Sequence, residues 1–519
     1  MKPEVTVTSG KLASTLKRMS GERFSIVLIM FSGAGEGMKN PHLEAVDEIT
    51  GGLLSRRIEH DGFDPRYKQS KVIDTDLSFE GLDKIILLGL GQRSRLTADG
   101  LREVLAEAFT AARDTVHAEH LIFPLIDVDL KSFCVEQFAQ VVAEYCVLAD
   151  YEPNHSKTGP WLDEAEQTHL KSLTLIAGRN SLKAAKRGAA FGVNLGEATC
   201  LARNLVNEPP SKMTARRLAK AASEVASNSE GIITCRVYGK QDIRRMKMGG
   251  LLAVNKGSKE MPSFIELSYD PASGATQECL ALVGKGVTFD TGGLNIKDYT
   301  SMKDMKMDMA GAASVIAAMS LISAIKPRIS VRALVAATDN QISAEAFLQG
   351  DIISTMSGKT VEVGHTDAEG RLTLADALHY AQEQCEATMI VDLATLTGAV
   401  EEALGSYVTG VFGNQERFTR KVLKAARLAG ETMHELPMPA IYREENKSPM
   451  ADLTNDGSGP GAITAAWFLR EFVNEGVEWI HADIGGTAFR TNANAHGIEP
   501  AGGTGVGVRT LAQLLLSFA

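Results

Sequence analysis

Short apolar runs alternate with helical patterns along the first third of the chain. The runs at residues 24–31, 84–90, 120–126 and 172–178 are rich in aliphatic and β-branched residues, which is typical of buried strands. Residues 101–116 repeat apolar positions at helical spacing. Because strands that alternate with helices usually form a mostly parallel sheet, this pattern predicts an α/β domain.

A long helical pattern separates this region from the rest of the chain. Residues 181–209 read as one helix that stops at the pair Pro209 and Pro210, and a turn-rich segment, 150–161, precedes it. We therefore predict a boundary near residue 185. Residues 1–185 would form an N-terminal α/β domain, and residues 186–519 would form a second domain that includes the connecting helix.

The second region repeats the same alternation on a larger scale. Strands are predicted at 279–290, 331–338, 388–398 and 479–484, and helices at 311–325 and 461–473. The fold class expected is α/β in two domains, with helices on both sides of a central sheet in the larger one.

Composition and charge indicate which classes of binding partner and which cellular compartment to expect. The 519 residues have an ordinary globular composition and carry 54 basic and 64 acidic side chains, a net charge of −10. This balance lacks the basic footprint of most nucleic-acid-binding proteins. No apolar run long enough to span a membrane is evident, and the first residues lack a secretory signal pattern. The six cysteines form no CxxC pair, which favours a reduced, cytoplasmic protein.

The segment GHTDAEGRL, residues 364–372, gathers two carboxylates and a guanidinium beside an apolar helical pattern. If it were extended, His365, Asp367, Glu369 and Arg371 would share one face. Clustered carboxylates repel each other, and a bound divalent metal or Arg371 could compensate them. Taken alone, D-A-E-G is more often a surface loop.

A second acidic cluster, upstream in the chain, favours a metal site over a surface loop. Residues 284–297 and 302–314 supply Lys285, Asp290, Lys297 and Asp308, and Asp290 ends a predicted strand where α/β proteins usually build ligand sites. Carboxylates from several segments, without HExxH or cysteine ligands, suit a hydrolytic site with two metal ions. Such ligands fit Zn²⁺, Mn²⁺ or Mg²⁺ and do not choose among them.

These motifs resemble those of a known family. GHTDAEGRL resembles the NTDAEGRL signature of the leucyl aminopeptidases, the M17 metallopeptidases, and LVGKGVTFDTGG and MKMDMAGAA resemble that family's other metal-site motifs in order and spacing. The likeness extends from about residue 200 to the end, through ADLTN (451–455) and HADIGGTA (481–488). The resemblance implies a macro-like N-terminal domain, for oligomerisation or regulation, and a catalytic domain with a central mixed sheet.

The resemblance also implies a ligand set and a reaction. One metal ion would be bound by Lys285, Asp290, Asp308 and Glu369, and a more exchangeable one by Asp290, Asp367 and Glu369, with a backbone carbonyl at the Asp367 position. The implied enzyme removes N-terminal residues, preferentially Leu and similar apolar ones, from peptides with a free amine. A water activated by both metals would attack the peptide carbonyl.

The same resemblance assigns the remaining site residues. Lys297 would stabilise the developing oxyanion, and Arg371 would hold a bicarbonate that acts as the general base. The candidates for substrate binding are Thr395, Leu396, Gly398, Met305 and Ala488, although Leu396 is as plausibly an ordinary core residue. A homohexamer is implied as well.

One position departs from the family pattern, because His365 stands where the family usually has Asn. It is expected either to hydrogen-bond behind the metal ligands or, more plainly, to be a tolerated packing change that still offers a hydrogen bond. Two other functional classes stay open: a DNA-binding or regulatory protein that uses the N-terminal domain, which the net charge disfavours, and an inactive scaffold, which the intact motifs disfavour.

Overall fold

The computed structural model describes residues 2–18, 23–33, 40–75, 79, 81–125, 134–153, 157–159, 169–274, 277–492 and 498–519. The chain divides into two compact units, one that runs up to Glu197 and one that contains Ala198–Asn492 and Ala501–Ala519. The predicted long helix is one continuous helix, Leu182–Asn207, and the division falls inside it. The domain boundary at residue 185 stays a prediction.

The first unit is built on a six-stranded sheet, as its alternating pattern predicted. All neighbouring strands are parallel except the last pair. In spatial order the strands are Glu4–Ser9, Ser172–Ala177, His120–Pro124, Phe24–Met30, Leu82–Gly89 and Ser70–Asp74.

Helices complete the core of this unit. The helix Ala98–Asp114 covers the predicted segment 101–116, and its apolar face packs with the helix Val135–Ala149 around a cluster that includes Phe109 and Phe123. Burying such side chains is the main stabilising contribution in a unit of this size. The other described helices here are Leu12–Arg18, Pro41–Ile49 and Leu53–His60, with a 3₁₀ turn at Arg93–Arg95.

The second unit is built on a mixed eight-stranded sheet. Its three central neighbour pairs are parallel, and antiparallel pairs lie toward both edges. In spatial order the strands are Met433–Glu435, Thr409–Gly413, Glu478–Asp483, Met389–Ala394, Cys279–Asp290, Ser330–Asn340, Ser263–Tyr269 and Ile233–Tyr238. Two small sheets pair Ile352–Ser354, Thr360–Glu362 and Leu453–Thr454, and Phe489–Arg490 with Gly502–Gly503.

Helices flank this sheet as expected. Those described are Ala215–Ser227, Lys240–Arg245, Gly249–Val254, Tyr299–Met302, Ala310–Met319, Ile322–Ile325, Gly370–Glu383, Gly398–Leu404, Glu416–Ala429, Gly461–Arg470 and Val508–Leu516. Turns of 3₁₀ helix lie at Asn255–Gly257, Met305–Met309 and Ala440–Asn446. The predicted helix 311–325 is divided in two at Ser320. The stretch Met305–Ile325 is apolar enough to cross a membrane, but 83% of its most apolar window is buried, as in a core helix.

The four central strands end at the same edge of the sheet and deliver polar residues there. Asp290, Asn340 and Asp483 are the last residues of their strands, and Thr395 follows the strand Met389–Ala394 directly. Because carboxyl ends of parallel strands form the usual ligand-binding edge of α/β sheets, this edge is where a site is expected.

Candidate metal centre and substrate cavity

Three carboxylates from two separate segments meet at this edge. Asp290, Asp367 and Glu369 each offer an oxygen, and these three oxygens lie within 4.8 Å of one another. Asp290 and Glu369 are buried, and Asp367 is partly exposed. A fourth carboxylate, Asp308, lies on the 3₁₀ turn Met305–Met309; it is buried and is joined to this group through Lys285.

Two lysines link the carboxylates into one network. Lys285 Nζ lies 2.6 Å from Asp308 Oδ1 and 3.0 Å from Glu369 Oε1, and it also donates to the Thr395 carbonyl at 2.9 Å. Lys297 Nζ lies 3.0 Å from Asp290 Oδ2 and 2.5 Å from Asp367 Oδ1. Each lysine therefore bridges a pair of carboxylates that would otherwise repel.

Burial and neighbouring carboxylates make Asp308, Asp367 and Glu369 unusually basic. Burial raises the pKa of Glu369 and of Asp308, and it raises the pKa of Asp367 to about 7 together with the charges of Asp290 and Glu369. Burial opposes the charge on Lys285, but Asp308, Glu369 and Asp290 outweigh it and raise its pKa. Without a metal ion, Asp308, Asp367 and Glu369 would therefore bind protons more strongly than ordinary Asp and Glu side chains do.

The donor set fits divalent metal ions. Asp308 Oδ2 and Glu369 Oε2 are buried, and no hydrogen bond from the described residues reaches them, while Glu369 Oε1 has the Lys285 ammonium at 3.0 Å. Buried carboxylate oxygens without donors are costly, and a cation satisfies them. A divalent ion beside Lys285 would also supply the charge that lowers its pKa and frees its amine as a ligand. Oxygen ligands with one amine suit Zn²⁺, Mn²⁺ or Mg²⁺.

The segment that carries Asp367 and Glu369 is a turn, so the extended conformation considered above is wrong. Residues 366 and 367 lie in a turn, and the helix Gly370–Glu383 begins immediately after Glu369. Arg371 therefore lies in the first helical turn. The helix can begin here because Gly370 has no side chain: a Cβ there would come within 2.4 Å of Lys285 Cε.

Asn455 holds this turn in place from the segment that follows Leu453–Thr454. Its Oδ1 accepts from the amides of Gly364 and His365 at 2.8 and 3.2 Å, and its Nδ2 donates to the carbonyls of His365 and Ala368 at 2.8 and 3.1 Å. The Asn455 carbonyl in turn accepts from Arg371 Nη1 at 2.8 Å. One fully buried side chain thus satisfies the backbone of a segment that has no regular structure.

The turn after Asp290 is held as closely. Asp290 Oδ1 accepts from the Gly292 amide and from Asn340 Nδ2, at 2.8 and 2.9 Å. Gly292 has φ +83°, and a Cβ there would lie 2.9 Å from Asp367 Oδ1. Only glycine meets both demands without strain, so the predicted glycine turn brings the two ligand segments together.

A third segment closes the site next to Lys285. Thr395 Oγ1 donates to Asp308 Oδ1 at 2.8 Å. Asp483, buried at the end of its strand, accepts from the amides of Leu396 and Thr397 and from Thr397 Oγ1, which fixes the backbone of residues 395–397.

A cavity of about 770 Å³ opens over this network. Of the sequence-predicted site residues, nine line it: Lys285, Asp290, Lys297, Met305, Asp308, Asp367, Thr395, Leu396 and Gly398. Leu396 is thus a cavity residue, although it also contacts the neighbouring hydrophobic core. Asp304, Glu401 and Phe489 line the cavity too, and no motif in the sequence pointed to them.

Three predicted site residues are not among the described lining residues. Glu369 is fully buried below the cavity lining, where it belongs to the carboxylate cluster. Arg371 is also buried; its Nε has no hydrogen-bond partner among the described residues, and burial lowers its pKa. Ala488 is 1% exposed and its carbonyl accepts from Thr504, so its role in a pocket wall stays a prediction.

His365 lies at the cavity, beside the ligands. Its Nδ1 accepts from the amide of Asp367 at 3.2 Å, so a neutral ring carries its proton on Nε2. This contact supports the turn that carries Asp367 and Glu369, and it is compatible with both interpretations.

The residues that the sequence did not single out are those that hydrogen-bond to the segments carrying the site residues. Asn455 and Asp483 lie inside the motifs ADLTN and HADIGGTA, but the sequence carried no sign of their partners. His481, in the second of these motifs, is fully buried, and its Nδ1 lies 2.5 Å from Asp392 Oδ1.

Comparison with known proteins agrees with this geometry. The model of the catalytic domain of the cytosol aminopeptidase family matches residues 200–512, and the model of that family's N-terminal domain matches residues 27–160. A probable cytosol aminopeptidase of Alkaliphilus oremlandii is 40% identical, and the match covers 93% of this chain and 95% of the relative. One of Persephonella marina is 34% identical over 99% of both chains.

Solved structures give the same answer. A variant of tomato leucine aminopeptidase superposes with a TM-score of 0.83 at 32% identity, covering 99% of this chain and 97% of that one. The bottromycin maturation enzyme BotP in complex with Mn superposes with a TM-score of 0.81 at 32% identity, covering 95% and 99%. Motifs, fold and full-length similarity therefore agree: the chain belongs to the cytosol aminopeptidase family, the M17 metallopeptidases, and is a metallo-aminopeptidase.

Proposed function

We propose that this enzyme uses two divalent metal ions to remove N-terminal residues, preferentially Leu and similar apolar ones, from peptides with a free amine. The observation that carries the proposal is the cluster of four carboxylates and two lysines at the floor of one cavity. The buried oxygens of Asp308 and Glu369 that lack hydrogen-bond donors support it most directly.

The proposed ligands form two overlapping sets. Lys285, Asp290, Asp308 and Glu369 would hold one ion, and Asp290, Asp367 and Glu369, with the Asp367 carbonyl, a more exchangeable one. When bound, such ions polarise the peptide carbonyl and supply hydroxide near neutral pH. The Mn complex of BotP supports Mn²⁺ as one candidate, beside Zn²⁺ and Mg²⁺.

Lys297 is the proposed electrophilic catalyst. Its ammonium lies at the cavity, only 14% exposed, and the charges of Asp290 and Asp367 hold its pKa high. A fixed positive charge in a poorly solvated position stabilises an oxyanion as it develops, and the enzyme pays no reorganisation cost at that moment.

Arg371 is the proposed anchor for a bicarbonate that acts as the general base. One of its Nη atoms is used by the Asn455 carbonyl, which fixes the guanidinium, and its Nε is left without a partner among the described residues. A guanidinium held in this way offers further N–H donors in a fork that matches carbonate oxygens.

The substrate's first side chain would lie against Met305, Leu396 and Gly398, with Thr395 offering backbone groups nearby. Ala488 would support this wall from behind. We further propose that the enzyme is a cytoplasmic homohexamer in which residues 1–185 serve oligomerisation or regulation. Sedimentation analysis of the full chain tests the assembly directly.

The activity is tested with purified protein that is stripped by a chelator and reloaded with Mn²⁺ or Zn²⁺. Leucine amide should be cleaved only after reloading, and N-acetyl-leucine amide should not be cleaved in any state. An Asp308→Asn variant should bind less metal and lose activity while keeping its fold. Folded, metal-loaded protein that leaves leucine amide intact would refute the proposal.

A further inference from the structure

We propose that Glu401 makes the side-chain pocket of this enzyme accept cationic residues, so that N-terminal Lys and Arg are removed as well as Leu, and N-terminal Asp and Glu are rejected. The inference rests on the proposed function, because it concerns the pocket of that same site. Four observations lead to it.

Glu401 faces the cavity from the helix Gly398–Leu404. It lies three residues after Gly398, hence on the same helical face, and both residues line the cavity together with Met305 and Leu396. A Cβ added to Gly398 would meet no atom within 4 Å. Gly398 therefore leaves open space between the expected position of the substrate side chain and Glu401.

The neighbouring wall leaves this carboxylate accessible. Gly486, which also lines the cavity, lies so close that a Cβ there would be 3.2 Å from Glu401 Cβ. The stem of Glu401 thus packs on glycine backbone, while the residue as a whole is exposed. Its hydrogen bond from Ser406 Oγ is long, at 3.4 Å.

Away from the proposed metal site, the charged residues that line the cavity are acidic: Asp298, Asp304 and Glu401. Of the two lining lysines, Lys285 is a proposed metal ligand, and Lys297 lies beside the metal-site carboxylates Asp290 and Asp367. Asp298 caps a short helix by accepting from Ser301, and no ion pair with a described residue engages Asp304 or Glu401.

One cation, Arg490, contacts the backbone of this wall: it donates to the carbonyls of Ser406 and Gly486, and it is not among the described lining residues. The Glu401 carboxylate therefore remains a charged group of this wall that faces the cavity, and it favours an ammonium or guanidinium over a carboxylate beside it.

The alkyl stems of Lys and Arg suit the rest of the pocket. They can pack on Met305 and Leu396 as a Leu side chain does, while the charged end extends toward Glu401. One pocket can therefore serve apolar and basic residues, and a carboxylate at the same place would meet repulsion.

The test compares kcat/KM for Leu, Lys, Arg and Glu amides in metal-loaded wild type and three variants. In Glu401→Gln, the Lys/Leu ratio should fall about two- to fivefold, the size expected for one solvent-accessible ion pair. In Glu401→Lys it should fall further, and the Glu/Leu ratio should rise. Glu402→Gln makes the same charge change one residue along, on an exposed position outside the lining, and should leave both ratios unchanged.

The outcomes separate the two proposals. Wild type that cleaves Leu amide but shows the same Lys/Leu ratio in Glu401→Gln and Glu402→Gln overturns this inference and leaves the proposed function standing. Equal ratio changes in both variants also overturn it, because they indicate a general charge effect. Folded wild type that cleaves none of the amides overturns the proposed function, and this inference with it.

Discussion

The side chain of Asn455 hydrogen-bonds to both the backbone amide and the backbone carbonyl of His365. The Oδ1 of Asn455 accepts from the His365 amide at 3.2 Å, and its Nδ2 donates to the His365 carbonyl at 2.8 Å. These two residues are 90 positions apart in the chain. Their contact fixes the start of the turn that carries Asp367 and Glu369, and a metal site depends on such support for the orientation of its ligands.

Replacing Asn455 by Ala should weaken metal binding. The substitution leaves the partly buried amide of Gly364 and the carbonyls of His365 and Ala368 without these partners, at a cost of up to about 1–3 kcal/mol for each group that stays unsatisfied. We expect Mn²⁺ affinity to fall about 10- to 100-fold, as for other residues that orient metal ligands. Competition with a fluorescent chelator measures this affinity.

Asn414 offers a matched control for that experiment. It also bonds backbone through both ends of its side chain, to the Val477 carbonyl and the Trp479 amide, but it lies outside the cavity lining. Asn414→Ala should lower the free energy of unfolding and leave Mn²⁺ affinity unchanged. If both variants lose stability and neither loses Mn²⁺ affinity, Asn455 has only a structural role.

Replacing Lys297 by Met should slow turnover with little effect on substrate binding. The change removes a positive charge that the proposed mechanism uses in the transition state, so kcat should fall about 10²- to 10³-fold and KM should stay within a few-fold. Lys303→Met, on an exposed residue of the same segment, is the control and should behave as wild type. A rise in KM with unchanged kcat would assign Lys297 to ground-state binding instead.

Metal binding should release protons, and affinity should rise with pH. Burial and neighbouring charges raise the pKa of Asp367 to about 7 and raise that of Glu369, so these ligands hold protons that a metal must displace. Affinity should therefore increase as pH rises through about 7. Titration calorimetry in buffers of different ionisation enthalpy counts the released protons, and a pH-independent affinity between 5 and 8 would contradict the expectation.

Asp376 should make stability depend on pH. It is fully buried and accepts from the amides of Leu251 and Met356; burial raises its pKa to about 7, above the ordinary value of 3.8. Because the folded state holds the proton more tightly, its contribution is complete below pH 3.8 and is lost as pH rises to about 7. The loss amounts to about 4 kcal/mol.

Denaturant unfolding of metal-saturated protein at several pH values measures this slope. Asp376→Asn should flatten the curve between pH 5 and 7. Glu383→Gln, on the exposed end of the same helix, should leave the slope as it is. An unchanged slope in Asp376→Asn would show that other groups cause the pH dependence of stability.

The local elements of the fold could be predicted because each has a strong pattern of its own. The strand Cys279–Asp290 and the helix Leu182–Asn207 were recognised from apolar runs and from the proline pair that follows the helix. The turn at 364–369 was harder, because the same letters fit an extended segment. Contacts with Asn455 and Asn295, remote in the sequence, give it its shape.

The fold class, the family and the residue types of the proposed metal site could be predicted from local patterns, because chemistry constrains those residues to appear in order and at close spacing. Which residues surround them depends on how the chain folds in three dimensions. Asn455 hydrogen-bonds to the turn at 364–368, Asp483 accepts from residues 396 and 397, and Glu401 lines the cavity. These contacts form because the ends of parallel strands bring together segments that are far apart in the chain. Such proximity depends on packing over long sequence separations, which no local pattern records.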